Sequence, residues 1–233
     1  IPEICRSDLT QQVLYLKGIG VFDFSQFAFV DMPDLHSFAR AFDILHALGA
    51  INDDATLTMT GQTLCRFQCS PCIAKILLNS LEKNCTEEIL SICAMLQVKN
   101  VFVHPRKQNK LKEATEVFKE FASVHSSDHL TLLTVYNQFT GMFGRSSRKW
   151  SQTNFCNHNS LLRAKSIRKE MAHQLKKSIP PGQTFSSCGE DDNETILKCL
   201  LSGFFVNIVR KERGDYIYKT VKDSRKVKFD KLL

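Results

Sequence analysis

From residue 60 to residue 178 a helical apolar period recurs almost without interruption, and this run restricts the possible folds more than any other feature. Apolar residues return at i, i+3, i+4 and i+7, the pattern of one-sided helices that must bury their stripes against one another. The spacing predicts helices over 60–67, 72–81, 86–96, 109–123, 128–140 and 160–177. Ser70-Pro71, Asn84, His104-Pro105, Ser126-Ser127 and the stretch 141–147 separate them. Connections this short between amphipathic helices imply a bundle.

The flanks read differently. Ser7 or Asp8 can cap a helix whose stripe is Leu9, Val13, Leu14 and Leu16, closed by Gly18 and Gly20. Phe22, Phe24, Phe27 and Phe29 follow, read as an anchoring loop rather than a ligand cage. Pro33 suits the first turn of a second helix with Leu35, Phe38, Phe42, Leu45 and Leu48 as its buried face, and Gly49 lies just past its end. Two short apolar runs around Asn52-Asp53-Asp54 predict a small hairpin over 50–58. Helices followed by a hairpin fit a winged-helix arrangement. At the other end, Ile179-Pro180-Pro181-Gly182 opens a polar linker to about Asp192, the clearest domain boundary in the chain. A helix over 193–201 follows. Phe205, Ile208, Tyr216, Tyr218, Val221, Val227 and Phe229 are then spread among basic residues, predicting two or three strands with turns at Gly214 and Asp223-Ser224. The expected class is mainly α.

Charge is unevenly placed. The net charge is +7, yet residues 1–60 hold three Lys/Arg against eight Asp/Glu, a net −5. Residues 145–178 hold nine Lys/Arg against Glu170 alone, a net +8. On the helix over 160–177, Leu161, Ala164, Ile167, Met171 and Leu175 form an apolar seam, while Arg163, Lys165, Arg168, Lys169, Lys176 and Lys177 cover the other faces. Such a face either contacts a polyanion, nucleic acid above all, or is simply solvated. Nine cysteines, an odd number at irregular spacing, fit reduced thiols in a cytosolic or nuclear compartment; Cys93 and Cys199 lie on apolar helix faces, where free cysteine acts as a small hydrophobe. Starting at Ile1 rather than Met, the chain reads as a processed protein or a fragment. No stretch approaches the roughly 18–20 apolar residues of a membrane span, and no secretory signal is recognisable.

No catalytic signature stands out. The chain has no G-x-x-x-x-G-K-[ST] phosphate loop, no G-x-S-x-G elbow and no H-E-x-x-H, so by itself it is not expected to hydrolyse a nucleotide. Cys65, Cys69 and Cys72 have the C-x3-C-x2-C spacing of radical iron–sulfur sites, but without the alternating strands and helices of that barrel. Zinc would need a fourth ligand at a usual spacing, and none is nearby. Core and cap cysteines are the plainer reading, and no metal is expected. His46 and His129 lie on helices and read as packed or half-exposed rather than catalytic.

Several segments, in one order, resemble the C-terminal part of DEAH-box RNA helicases. Ile1-Pro2-Glu3-Ile4-Cys5-Arg6-Ser7-Asp8-Leu9 is similar to P-E-I-x-R-[ST]-x-L, and Leu14-Tyr15-Leu16-Lys17-Gly18-Ile19-Gly20 to L-x-L-K-x-[LI]-G. Phe29-Val30-Asp31-Met32-Pro33 parallels F-x-D-P-P with Met32 for the first proline, and 41–50 parallels A-[LF]-x-x-L-x-x-L-G-A. Residues 57–61 match L-T-P-L-G loosely. Residues 87–102 resemble E-E-I-L-x-I-x-A-M-L-x-V-x-N-V-F, and 128–133 match D-H-L-T-L-L. Lys149-Trp150 through Phe155 resembles W-C-x-x-x-F with Ser151 for the cysteine, and Gly203-Phe204-Phe205 matches G-[FY]-F.

The resemblance implies a winged helix over 1–62, a helical ratchet (HA2-like) bundle over 63–180, and a linker helix with a partial OB-fold over 181–233. It implies a module that closes a channel for single-stranded RNA against RecA-like domains of the same protein, which bind ATP and Mg, with G-patch-type activators contacting the winged helix. The cofactors belong to those domains and none is expected in this chain. Taken with the basic faces, it marks Asn100, His104, Arg106, Lys107, Lys149, Arg163 and Lys228 as candidate RNA-binding residues. His104 stands where the family often has an arginine before the proline; Arg106 and Lys107 either compensate or the grip is weaker. The tail ends at Lys228-Phe229-Asp230-Lys231 without the family's usual H-P turn. The alternative function is a protein-interaction scaffold that does not grip RNA. Either way the compartment expected is nuclear or cytoplasmic, with no membrane partner.

Overall fold

Among the described residues five helices begin at a residue whose side chain accepts from their orphan N–H groups, which makes those starts readable in the sequence. Asp34 accepts from Ser37 N at 2.8 Å, Thr58 from Gly61 N at 2.9 Å and Ser70 from Ile73 N at 3.4 Å with Pro71 behind it. Asn157 accepts from Asn159 N and Ser160 N, and Asp192 from Thr195 N at 3.1 Å. A computed structural model describes residues 2–123, 127–180, 182, 184–189, 192–212, 217–222 and 224–227. Among them ten helices follow in order: α1 Thr10–Gly18, α2 Leu35–Ala47, α3 Met59–Leu64, α4 Pro71–Glu82, α5 Thr86–Leu96, α6 Gln108–Ser123, α7 Asp128–Thr140, α8 Arg145–Thr153, α9 His158–Lys176 and α10 Asn193–Phe204. Three short strands close the described chain: β1 Val209–Lys211, β2 Tyr218–Thr220 and β3 Lys226–Val227. The described residues are mainly α, a helical bundle with a small β segment.

The six predicted bundle helices are present, with ends shifted by up to three residues. The second helix begins at Leu35, capped by Asp34, rather than at Pro33. α8 is an addition. Its sequence RSSRKWSQT carries one large apolar residue, Trp150, too few to make a stripe, and its start lies within the stretch read as a breaker. The predicted hairpin over 50–58 contracts to one antiparallel bridge, Ile51 opposite Leu57, with Ala55 at φ 59° in the turn. In the tail, β2 is central: Val209 pairs with Thr220 and Tyr218 with Val227, both antiparallel. Phe205 belongs to a 3₁₀ turn following α10 rather than to a strand. Tyr216, Phe229, Gly214 and Asp223, named above for strands and turns, lie outside the described residues.

Helix α5 is the axis of the core. Every residue from Thr86 to Met95 except Glu87 is buried, as a helix enclosed on all sides must be. One apolar cluster joins Leu9 just before α1, Val13 of α1, Leu45 of α2, Ile76 and Leu77 of α4, Ile89 and Ile92 of α5, Leu175 of α9, and Ile196 and Leu200 of α10. A second joins Met95, Val101, Phe121, Val135, Phe139, Leu161 and Ala164, with Trp150 of α8 against it. Each fully buried Leu or Ile contributes about 1.5–3 kcal/mol relative to exposure. Two glycines permit close approaches: a Cβ on Gly61 would lie 2.0 Å from Ala50 O, and one on Gly203 would lie 2.2 Å from Cys72 O. Gly203 thereby sets how closely α10 can lie against α4.

Candidate nucleic-acid interface

Residues 99–107 contain only Lys99, Arg106 and Lys107 as charged groups, with no acid among them. Their backbone is pinned to the junction between α8 and α9. Asn157 N donates to Val101 O at 2.8 Å, Val103 N donates to Phe155 O at 2.7 Å, and Phe102 bridges Cys156. Ser160 Oγ donates to Lys99 O at 2.9 Å. Asn100 (φ 54°) and Phe155 (φ 51°) both take the left-handed conformation. Asn accepts it readily, since its short polar side chain tolerates that region, whereas an aromatic residue does so only under tertiary constraint.

This clip gathers four candidates into one exposed segment. Asn100, His104, Arg106 and Lys107 are all exposed. The Phe102 ring packs on Phe118 of α6 at 4.7 Å, and the His104 ring meets Phe118 edge-on at 5.4 Å. His104 is thus oriented by an aromatic neighbour, while Arg106 and Lys107 project at the start of α6, where Leu111 N donates to Lys107 O at 2.9 Å. Lys149 is exposed on α8, beside Trp150, whose ring lies 6.2 Å from both Phe121 and Phe139. Arg163 is exposed on α9 between the fully buried Leu161 and Ala164. These two residues therefore sit on the two helices joined by the connection that holds the basic segment. Lys228 lies outside the described residues. Ser151, in the place of the family's cysteine, is buried and donates to Ser147 O at 2.9 Å, with His158 Nδ1 3.3 Å away.

Arg168 departs from the exposed role the sequence assigns it. It is partly buried and forms an ion pair with Glu87. Its Nε donates to Ser91 Oγ at 3.0 Å, another nitrogen donates to Glu87 O at 3.3 Å, and the guanidinium lies 6.0 Å from the Tyr136 ring centre. This cation ties α9 to α5 and α7. The signal was Glu87 and Ser91 four residues apart on one helix, which shows only once the partner helix is placed.

The cysteine motif disperses. Cys65 donates to Leu14 O at 3.4 Å, and burial pushes Cys69 up to about 12 and raises Cys72. Thiols held protonated are poor ligands and nucleophiles. Among the described residues no three His, Cys, Asp or Glu side chains converge as metal ligands would. His46 pairs with Asp53 at 2.8 Å on the surface, and His129 stacks on Phe204 with its pKa lowered by burial. No helix among the described residues is long and apolar enough to cross a membrane.

Residues 70–132, from the cap of α4 into α7, match the family described as helicase associated domain (HA2), ratchet-like. The probable ATP-dependent RNA helicase DHX35 of Homo sapiens is 36% identical over 228 residues, covering 97% of this chain and 31% of that protein. The pre-mRNA-splicing factor ATP-dependent RNA helicase prp22 of Schizosaccharomyces pombe is 36% identical over 227 residues, covering 97% of this chain and 19% of its own. Over nearly all of its length the chain is similar to a region of DEAH-box RNA helicases. It spans less than a third of the length of these curated relatives. The HA2 match includes Asn100, His104, Arg106 and Lys107, so the basic segment lies inside the ratchet-like match.

Proposed function

We propose that this chain is the accessory module of an ATP-dependent RNA helicase, acting in the nucleus or cytoplasm. It helps close a channel for single-stranded RNA while RecA-like domains of the same protein, with ATP and Mg, drive stepping and unwinding. In this reading 1–62 acts as a winged helix, 63–180 as the ratchet and 181–233 as a linker helix with a partial OB-fold. The observation that carries the proposal is the basic segment 99–107 clipped onto the α8–α9 junction, with Lys149 and Arg163 exposed on the helices so joined. Fixed cations on rigid elements suit backbone phosphates, which carry no sequence information, so base preference is expected to be low.

The test is binding of a fluorescent single-stranded RNA across a salt series. Affinity should fall as salt rises, with a slope of about −0.7 per phosphate contact on a single strand. Arg106→Glu with Lys107→Glu should weaken binding at low salt, and flatten the slope by roughly 1.4 if each residue neutralises one phosphate. Equal affinity at low and high salt removes the electrostatic basis of the proposal, and an unaffected double variant moves the grip elsewhere.

A second reading is favoured by a different surface. Phe22 is 77% exposed, Val30 fully exposed and Leu35 80% exposed, all within the acidic first segment. Several large apolar residues exposed within one segment suit a docking role. This segment would dock a protein partner, such as a G-patch-type activator. Partner capture that survives Phe22→Ser with Leu35→Ser would sink this version.

A further inference from the structure

The segment 184–189 crosses the N-terminal turn of α5, and its contacts there centre on a carboxylate withdrawn from water. Glu88 is 6% exposed. Ser187 Oγ donates to one of its oxygens, and Cys188 N donates to the other at 3.4 Å. Glu87 N donates to Ser186 O at 3.1 Å, Phe185 packs against the core, and Lys176 Nζ stands 5.6 Å from the Phe185 ring centre. Ser187 itself is exposed, unlike Ser186. Its sequence context is strongly acidic on the C-terminal side: Glu190, Asp191, Asp192 and Glu194 follow within seven residues. Thr184, the other exposed hydroxyl of the segment, has no acid within its next five residues.

We propose that Ser187 is a phosphorylation site for an acid-directed protein kinase, and that phosphorylation releases the segment 184–189 from α5. A kinase with a basic substrate cleft selects carboxylates placed after its acceptor, and this run supplies them. In the transfer Ser187 Oγ attacks the γ-phosphorus of ATP, an Oγ–P bond forms, the bond to the ADP oxygen breaks, and the hydroxyl proton passes to the kinase's base. The product removes the donor that Glu88 uses and places about two negative charges beside a buried carboxylate. The N-terminus of α5 attracts an anion, but Glu87 and Glu88 already stand in its first turn. Repulsion therefore decides, and the segment leaves.

The experiment treats the full chain with ATP and a casein-kinase-2-type enzyme, locates the phosphoryl group by peptide mass spectrometry and follows hydrogen exchange. One phosphoryl group on Ser187 is expected, absent from Ser187→Ala, with amides over 185–189 exchanging roughly tenfold or more faster, since a hydrogen bond to a charged group is lost. In Glu88→Gln the same modification should accelerate exchange much less, because a neutral amide can donate to the phosphate. No phosphoryl group on Ser187, or one that leaves exchange unchanged or slower in the wild-type chain, overturns the proposal. The comparison of wild type with Ser187→Ala decides it even if the Glu88 variant does not fold.

Discussion

A single buried charge shows how far local surroundings govern the residues of this chain. Lys17 is 7% exposed, and its ammonium stands 5.6 Å from the Phe24 ring centre and 5.4 Å from that of Phe42. Burial lowers its pKa from 10.5, against a weaker pull upward from Asp54. The folded state therefore releases this proton at lower pH than the unfolded state does. Between the two pKa values the unfolded chain binds more protons, so this residue's contribution to stability rises with pH there. Urea midpoints at intervals from about pH 8 to 10.5 should show the wild type gaining on Lys17→Met. A difference that stays flat would mean that the ammonium is not desolvated. Residues of this kind were poorly legible beforehand. Lys17 and Arg168 both look like ordinary surface cations in sequence, because what buries them comes from 7 to 81 positions away, at Phe24 and Glu87. Arg106 and Lys107 were readable because nothing folds over them.

At the scale of elements, α5 and α7 could be read residue for residue, since each joins acidic residues in its first turn to a dense apolar period. α8 could not, since Trp150 is its one large apolar residue and the neighbours that receive Trp150 belong to α6 and α7. The hairpin over 50–58 was legible as a turn but not in extent: only Ile51 and Leu57 bridge, and Gly61 packs directly on Ala50 beside them. The same physics at Gly203 gives a sharp expectation. Gly203→Ala puts a methyl group 2.6 Å from the Ile76 side chain and 2.2 Å from Cys72 O, a backbone atom that cannot yield without moving a helix. Overpacking of this kind costs about 1–3 kcal/mol or more, lowering Tm by roughly 2–4 °C per kcal/mol in a chain of this size. Gly141→Ala is the control. Its methyl group would meet nothing closer than 3.6 Å, so its melting curve should hardly move. Equal losses at the two positions would show that α10 does not rest on α4 as described.

At the scale of the molecule, the charge asymmetry and the helical class were plain from sequence, but the continuity of the core was not. The boundary expected near residue 180 is a change of composition, yet Ile196, Cys199 and Leu200 beyond it join the same apolar cluster as Leu9 and Ile89. A chain ended after residue 180 should lose more than a tail. It should bind a hydrophobic dye and unfold with a broadened transition, as compact states without fixed packing do. A sharp transition with no dye binding would show that the bundle closes without α10. The long reach of that closure also matters during synthesis. Cys199 Sγ donates to Ile76 O at 3.5 Å across 123 residues of chain. Translation at about 5–20 residues per second separates the emergence of those two residues by on the order of ten seconds. For that interval a nascent chain carries α4 with its apolar flank uncovered, so the ribosome-bound protein is a natural client for holdase chaperones until α10 arrives.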